Sequence, residues 1–356
     1  MRLFQNNGLS RGFRAHRPRA DDRSFAGCLN SFLDTRYTAS HILQPVLAGN
    51  ADAFYTNGDD ETLQGLWARA NGMAGRDLEQ ILLAQIEHHR TEVFYNLDPM
   101  RYGSAFVRKL PACVKKTICW RAAPSGSADL SGYDLVVCNF PSILEDWRIK
   151  GCKVAHFFPG HDPAMDGYVA ARRQDIDLLF VGGFSRHHRS RVAALIAAAS
   201  VPGIRARFHL EDSRLTRLAN LLPFLPPLRE FRHPAEIRRV RAGPLYGRDL
   251  YAAMASARIV FNGAVDMAGE DRGNMRCFEA VGCGAVLLTD AGRYPEGFAD
   301  GETMVTYASA DQISRLVERL IADADWANAI AKAGYAMVRD RYSKERQWAR
   351  FRELCD

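Results

Sequence analysis

The sequence predicts an α/β protein of two domains, each with an open parallel sheet and crossover helices. Short runs rich in β-branched and aromatic residues alternate with helical patterns along the chain. The 356 residues, 47% of them hydrophobic, are enough for two ordinary cores. The alternation also restarts at residues 174–200, where a strand, a Gly-Gly turn and an amphipathic helix follow one another. Because this order begins a Rossmann-like unit, two Rossmann-like domains are expected.

In the first domain, apolar residues at helical spacing predict a helix over 77–89, which leads into a strand-like run. Pro141 stands where a first helical turn tolerates proline, and Gly151 stands where a helix ends. The predicted elements of this half are the helix 77–89, strands within 91–99, 115–124 and 133–139, the helix 141–151, and a strand within 152–163 that runs into a loop.

The second half continues the alternation after its opening strand, turn and helix. We expect a strand at 204–210, a helix and strand over 248–264, another such pair over 277–290, and two closing helices over 310–342. Residues 211–245 fit no clean period. The predicted organisation is therefore an N-terminal domain at 1–165, a C-terminal domain at 166–342, and a last helix at 343–356 that crosses back to the first domain.

Composition narrows the class of partner and the compartment. The 47 basic and 41 acidic side chains alternate in sign and leave a net charge of +6, so nucleic acid is not implied, whereas an anionic small molecule or membrane surface stays open. The eight cysteines form no CxxC pair, which indicates reduced thiols. No secretory signal and no membrane-spanning run is visible. We expect a cytoplasmic protein, and peripheral contact with the inner face of the membrane remains open.

The stretch 271–290 holds two carboxylates, Asp271 and Glu279, in a segment otherwise poor in polar groups. Eight residues of helix advance about 12 Å, a length that suits an elongated, hydroxyl-rich ligand such as a nucleotide sugar. Gly273 and Asn274 precede the predicted helix, where free N–H groups and the helix dipole favour a diphosphate. Arg276 offers a guanidinium fork to a phosphate oxygen.

A second candidate for diphosphate binding is the glycine turn that opens the second domain. Gly182 and Gly183 follow a strand and allow close backbone approach, and cations behind them would stabilise a leaving diphosphate. The polar residues that enter the helix there are Ser185, Arg186, His188 and Arg189.

Residues 271–290, together with 293–323, resemble the donor-binding half of retaining GT-B-fold glycosyltransferases. The resemblance is closest to the spore-maturation-like group 1 proteins, in which Asn, Arg and Phe-Glu-Ala precede a Gly-rich turn. Many relatives carry two glutamates separated by seven residues, and here the first acid is Asp271. The resemblance covers about 174–350, and over 1–160 only the element order agrees. It implies the GT-B architecture, with two Rossmann-like domains facing a central cleft.

The resemblance also implies roles for single residues. Glu279 would bind the ribose, Asp271 the transferred sugar, and Tyr246 with Gly247 the base. The first domain would bind the acceptor, where Asp98 at a strand end could orient a hydroxyl. His161, in the loop between the domains, could face the cleft. No enzyme nucleophile is required, and the leaving phosphate is a candidate for deprotonating the acceptor.

Each candidate also has a plain structural interpretation. The two acids could be a helix start and a solvated face, and Arg276 could simply pair with Glu279 at i,i+3. Gly182 and Gly183 could form an ordinary turn, and Asp98 could cap a turn before Pro99. The N-terminal arginines could mark a site for an acidic acceptor or a lipid phosphate, but a mobile solvated loop is the favoured interpretation; they are Arg11, Arg14, Arg17, Arg19 and Arg23.

The expected function is transfer of a sugar, of hexosyl type, from a nucleotide-sugar donor to a glycan, lipid-linked or protein acceptor in polysaccharide biosynthesis. No metal is expected, because the nearest acidic cluster, at 58–61, precedes a helix in the other half. No cofactor is expected either, since the nucleotide sugar is a co-substrate. A nucleotide-sugar epimerase and a non-catalytic nucleotide-sugar-binding module remain alternatives, and Asp in place of Glu at 271 keeps the latter open.

Overall fold

The computed structural model describes residues 1–16, 20–184, 189–222, 224–263 and 267–356. The chain divides into two compact units. The first unit comprises Met1–Gly160, Met267–Asp271 and Tyr342–Asp356, and the second comprises His161–Asp266 and Arg272–Arg341. The domain limits 1–165, 166–342 and 343–356 stay predictions.

The first unit is built on a parallel sheet of six strands in the order β2-β1-β3-β4-β5-β6. Leu3 pairs with both Ala53 and Val93, so the first strand lies between the second and third. The strands are β1 Leu3–Asn6, β2 Ala53–Thr56, β3 Val93–Asn96, β4 Lys116–Trp120, β5 Leu135–Cys138 and β6 Val154–His156.

Helices cover this sheet and begin at polar caps. The Asp60 side chain accepts from the backbone N–H groups of Thr62 and Leu63, which fixes the start of one helix, and Asp77 caps the next in the same way. The core packs Phe4 and Phe94 from the strands against helical side chains such as Trp147. The helices are α1 Arg11–His16, α2 Phe25–Asp34, α3 Gln44–Leu47, α4 Glu61–Ala70, α5 Leu78–His88, α6 Ser104–Val107 and α7 Pro141–Ile149, with a 3-10 turn at Ala39–His41.

The second unit repeats the plan with strand order β12-β11-β10-β7-β8-β9, again parallel. The two central strands are fully buried over most of their length, as expected when helices cover both faces. The strands are β7 Ile176–Gly183, β8 Ala206–Glu211, β9 Arg241–Ala242, β10 Ala257–Phe261, β11 Val286–Asp290 and β12 Val305–Tyr307. Two Rossmann-like units were predicted, and this prediction is confirmed.

The helices of the second unit pack mainly through aliphatic side chains. Phe180, Phe208 and Phe261 from the sheet meet Leu195 and Ile313 in one core. The helices are α8 Ala164–Ala170, α9 Arg189–Ala199, α10 Arg214–Leu221, α11 Ala235–Val240, α12 Gly247–Ala255, α13 Met275–Gly282, α14 Gln312–Ala322 and α15 Ala324–Arg341, with a 3-10 helix at Pro226–Phe231.

The last helix, α16 Lys344–Cys355, belongs to the first unit. The buried ammonium group of Lys344 donates to the carbonyl oxygens of Ala39, Ser40 and Ile42 at 2.7, 3.0 and 2.8 Å and to Gln347 Oε1 at 2.9 Å. All eight cysteines are free thiols. None of the helices in the described ranges has both the length and the apolar character that a membrane crossing requires.

Candidate functional site

The carboxyl edge of the second sheet is the first candidate site, since open parallel sheets bind ligands beyond the carboxyl ends of their strands. Four neighbouring strands end here, at Gly183, Phe261, Asp290 and Tyr307. A cavity of about 320 Å³ opens at this edge. Its lining comprises Arg191, Ala193, Ala194, Gly263, Arg272, Asp290, Ala291, Tyr307, Ala308, Ser309 and Ala310.

Two guanidinium groups give this cavity its anion-binding chemistry. The Arg272 Nε donates to Asp290 Oδ2 at the end of β11, and the two side chains are only 18% and 20% exposed. The guanidinium carbon of Arg191 lies 5.5 Å from the centroid of the Phe180 ring. Because Arg191 lies in α9, after β7, and Arg272 lies between β10 and α13, two separate crossover connections of the sheet each contribute a cation. Two arginines with one carboxylate leave this lining with net positive charge.

Gly182 and Gly183 are the last residues of β7, beside this cavity, and they differ in their surroundings. A Cβ on Gly182 would lie 3.0 Å from a terminal guanidinium nitrogen of Arg191 and 3.1 Å from Phe180 Cζ. A Cβ on Gly183 would meet no atom within 4 Å. Gly182 therefore permits the close approach of Arg191 to the strand.

The start of α13 adds a polar network to the same edge. Asn274 is the N-cap, and its Oδ1 accepts from the backbone N–H of Arg276 at 3.0 Å. Its Nδ2 lies 3.5 Å from Oδ1 of Asn262, which is buried just after β10. Gly273 has φ of 97°, a value that an L-residue rarely adopts, so glycine is required before the cap. This backbone places the first N–H groups of α13 at the sheet edge.

Glu279 is buried within α13, with only 2% of its surface exposed. Its Oε2 accepts a charge-assisted hydrogen bond from Arg276, three residues earlier. Burial, followed by the negative charge of Asp162, raises the pKa of Glu279, and Arg276 opposes that rise. The i,i+3 pairing considered from the sequence is confirmed, whereas a solvated helix face is wrong, because this carboxylate is enclosed.

Asp271 belongs to the first unit. Its Oδ2 accepts from the backbone N–H of Ser142 at 2.6 Å, in the first turn of α7, and Ser142 Oγ donates to the carbonyl oxygen of Ala268 at 2.9 Å. Asp271 is 2% exposed. The start of α13 is capped by Asn274 instead, so Asp271 is not the helix start that the plain interpretation assumed.

Tyr246 and Gly247 stand at the beginning of α12, with Tyr246 as the N-cap residue. Gly247 is buried and has φ of 54°, which favours glycine. Neither residue lines the 320 Å³ cavity.

His161 lies in a buried cluster of the second unit and is 4% exposed. Its Nε2 is 2.8 Å from Asp166 Oδ1, which also accepts from the hydroxyl of Tyr335 at 2.8 Å. Burial lowers the pKa of His161, although Asp166 acts in the opposite direction. These contacts favour a structural role for His161, which would position α8 and α15 relative to each other.

The carboxyl edge of the first sheet holds Asp98 two residues beyond β3. Its backbone N–H donates to Asn96 Oδ1 at 3.0 Å, and its carbonyl oxygen accepts from Tyr102, so it opens the turn considered from the sequence. Burial, followed by the negative charge of Asp59, raises the pKa of Asp98. Asp59 itself accepts from the backbone N–H of Leu9 at 3.1 Å and pairs with Arg14. Asp98 Oδ2 lies 3.7 Å from Nε of Arg101, a longer contact than those of Asp59, and the Asp98 side chain is the more exposed of the two. Asp98 is therefore the candidate carboxylate at this edge.

Three predicted donor-binding residues, Ser185, Arg186 and His188, lie outside the described residues. Arg189 is the first residue of α9, and its side chain also lies outside them. Sequence analysis did not select Arg191 or Arg272 as candidate site residues. Two signals could have identified them: Arg191 lies just after the glycine turn, and Arg272 is adjacent to Asp271.

Three comparisons with known proteins bear on this site. Residues 189–353, a little under half of the chain, match a family model described as Glycosyl transferase-like. No curated protein has significant sequence similarity to the chain.

Solved structures share the fold over almost the whole chain. HepE from Anabaena, in complex with UDP and glucose, superposes with a TM-score of 0.61 at 12% identity, covering 99% of this chain and 98% of that one. Sucrose-phosphate synthase from Thermosynechococcus elongatus gives 0.57 at 13% identity, with 99% and 97% covered. A glycosyltransferase from Rickettsia africae gives 0.57 at 10% identity, with the same coverage. At such low sequence identity, the structural similarity shows a shared fold.

Proposed function

We propose that this protein is a glycosyltransferase that uses a nucleotide-sugar donor and binds the nucleotide at the carboxyl edge of the second sheet. The observation that carries the proposal is the convergence at that edge of a positively charged cavity and the capped start of α13. Glu279 is buried further along the same helix, outside the cavity lining. The Glycosyl transferase-like match covers this part of the chain, which supports the proposal.

The donor contacts follow from the charge of each group. Arg191 and Arg272 neutralise the diphosphate, aided by the N–H groups at the start of α13. Glu279 accepts hydrogen bonds from the ribose hydroxyls, because a carboxylate would repel the phosphates. With guanidinium groups as the neutralising charges, the reaction proceeds without a metal ion. Tyr246 and Gly247 contact the base.

The first unit binds the acceptor, a glycan, lipid-linked or protein hydroxyl, and Asp98 orients that hydroxyl. In the transfer step the bond between the sugar anomeric carbon and the diphosphate oxygen breaks with retention of configuration. The acceptor oxygen forms the new bond, and its proton passes to the leaving phosphate. Asp271 contacts the transferred sugar. UDP-glucose is the first donor to test, because the Anabaena protein HepE has been crystallised with it.

The experiment measures release of nucleoside diphosphate from a panel of nucleotide sugars, with a mixture of glycan acceptors. The wild type is compared with Glu279→Gln, and with Glu318→Gln at an exposed position of α14 as the matched control. We expect turnover with one donor, a fall of about tenfold or more in Glu279→Gln, and no change in the control. Equal turnover in both variants would remove Glu279 from the donor site.

A second candidate function, a non-catalytic nucleotide-sugar-binding module, is favoured by one observation. One carboxylate oxygen of Asp271 already accepts a hydrogen bond from the backbone N–H of Ser142, in the first turn of α7, so it is not available to a sugar hydroxyl. Nucleotide binding without transfer to any acceptor, in a protein whose Glu279→Gln variant loses that binding, would favour the module over the enzyme.

A further inference from the structure

The second unit carries a cluster of exposed hydrophobic side chains, here called the leucine patch: Leu215, Leu218, Leu221, Phe224 and Leu225. Of the nine large hydrophobic side chains that are exposed among the described residues, these five fall within eleven consecutive positions. Leu221 and Phe224 are 75% and 73% exposed. Single exposed apolar residues are ordinary on protein surfaces, but a contiguous cluster marks an interaction surface.

The leucine patch arises because α10 turns its apolar face outward. The helix buries Thr216 and Ala219, and it exposes leucines at positions i, i+3 and i+6, which share one face. Ser213 caps the helix by accepting from the backbone N–H of Thr216 at 3.0 Å. The helix also packs against the 3-10 helix Pro226–Phe231, so α10 and the segment that follows it form one surface.

The charge around the leucine patch identifies its partner. Residues 213–228 contain Arg214 and Arg217, both exposed, and no aspartate or glutamate. Glu211 and Asp212 precede this segment, and the Asp212 carboxylate is held by His233 and Arg241. Anionic lipid surfaces bind segments that combine leucine and phenylalanine with arginine and that lack acidic side chains. A symmetric interface with a second copy would bring the arginines of both copies together, and the patch has no carboxylate to neutralise them.

We propose that the leucine patch, with Arg214 and Arg217, docks this protein on an anionic lipid bilayer. The leucine and phenylalanine side chains enter the boundary between headgroups and acyl chains, and the two guanidinium groups contact lipid phosphates. This docking uses no residue of the proposed nucleotide site, so it stands or fails independently of the proposed transferase activity.

The test is flotation of the full chain with vesicles of phosphatidylcholine alone or mixed with phosphatidylglycerol. We expect binding to the mixed vesicles that weakens as salt is raised, because surface charges are screened. Leu218→Glu combined with Phe224→Glu should lower the bound fraction at least about tenfold. Arg214→Glu with Arg217→Glu should lower it by a similar factor, because each arginine contributes about fivefold. Ile149→Glu is the matched control, since Ile149 is 78% exposed but stands alone in the first unit.

A second measurement adds a signal at the patch itself. Phe224→Trp should retain vesicle binding and gain fluorescence that brominated lipids quench, above the quenching of the wild-type tryptophans. No binding to the mixed vesicles, equal loss in the Ile149→Glu control, or unquenched Trp at 224 would each overturn the proposal. Concentration-dependent self-association that the Leu218→Glu, Phe224→Glu variant abolishes, without vesicle binding, would assign the patch to a second copy instead.

Discussion

The carboxyl edges of the two sheets are built from different polar groups. At the edge of the first sheet, buried amides hydrogen-bond to one another. Asn6 Nδ2 donates to Asn96 Oδ1 at 2.9 Å, and Asn6 Oδ1 accepts from the backbone N–H of Gly58 at 2.8 Å. At the edge of the second sheet, Arg191 and Arg272 face a cavity of about 320 Å³. Both sheets are parallel and six-stranded, so the difference lies in the side chains at the strand ends and in the connections that follow them.

In open parallel sheets, topology sets where a site lies, whereas the side chains at the strand ends and in the connections set what it binds. The amide and carboxylate groups of the first edge suit hydroxyl groups, and the cations of the second edge suit phosphates. Buried amides that satisfy one another also stabilise the fold, whereas the proposed role of Arg191 and Arg272 is to bind phosphates. Substitutions in the amide network of the first edge should therefore cost mainly stability, and substitutions of the cations at the second edge should cost mainly binding.

The largest expected effect is on stability at the first edge. Asn6 is fully buried, and Asn6→Ala removes one partner from Asn96 and the acceptor of Gly58. We expect a loss of about 3 kcal/mol in the free energy of unfolding, measured with urea, and unchanged nucleotide binding. Asn30→Ala, at an exposed position of α2, should change neither quantity. A loss below about 1 kcal/mol in Asn6→Ala would show that the edge is not stabilised by this network.

The converse substitution at the second edge is Arg191→Ala. Removing a charged donor to a phosphate should weaken nucleoside diphosphate binding by about tenfold or more, measured by calorimetry. The loss of its contact with Phe180 should cost at most about 1 kcal/mol of stability. Arg315→Ala, on the exposed face of α14, is the control and should leave affinity unchanged. Unaltered affinity in Arg191→Ala would contradict phosphate binding by Arg191 at the second edge.

The two glycines at the end of β7 test the role of Arg191 within a single strand. Gly182→Ala should cost about 1 kcal/mol and weaken nucleotide binding, because the new Cβ crowds Phe180 and displaces Arg191. Gly183→Ala meets open space and should be close to neutral in both respects. Thermal melting with and without the nucleotide measures both variants, and identical behaviour of the pair would count against a role for Arg191.

The smallest effect concerns Asp98 and pH. Burial, then the charge of Asp59, raises the folded-state pKa of Asp98 above its unfolded value. The folded state then holds a proton that the unfolded state has lost, so stability falls as pH rises through the interval between those pKa values. Asp98→Asn removes this penalty. The variant should gain less than about 1 kcal/mol at neutral pH, and the gain should disappear at strongly acidic pH. A gain that persists in acid would contradict the raised pKa.

The long, strongly patterned elements were predictable from the sequence. The strand now seen as β7 and the helix now seen as α13 were both expected, because their apolar runs are long and end at glycine or a polar cap. β1 and β2 were missed, although β3 is equally short, because no predicted helix leads into them as the helix over 77–89 leads into β3. Residues 211–245 fit no single period because they hold only short elements: α10 has eight residues, the 3-10 helix and α11 have six each, and β9 has two.

The candidate site was predictable only where its contacts are local. The pairing of Arg276 with Glu279 follows from a spacing of three residues, and it was considered from the sequence. Asp271 accepts from Ser142, which lies 129 residues away, and no local pattern indicates such a contact. The approach of Arg191 to Gly182 likewise depends on how α9 returns over β7.

The most direct test of the account is a thermal-shift panel of nucleoside diphosphates and nucleotide sugars with the wild type and Glu279→Ala, because a ligand of the native state raises its melting temperature. We expect a shift for one nucleotide in the wild type, and no shift for it in a variant that still melts cooperatively. Absence of a shift with every nucleotide, or an equal shift in the variant, would contradict nucleotide binding at the carboxyl edge of the second sheet.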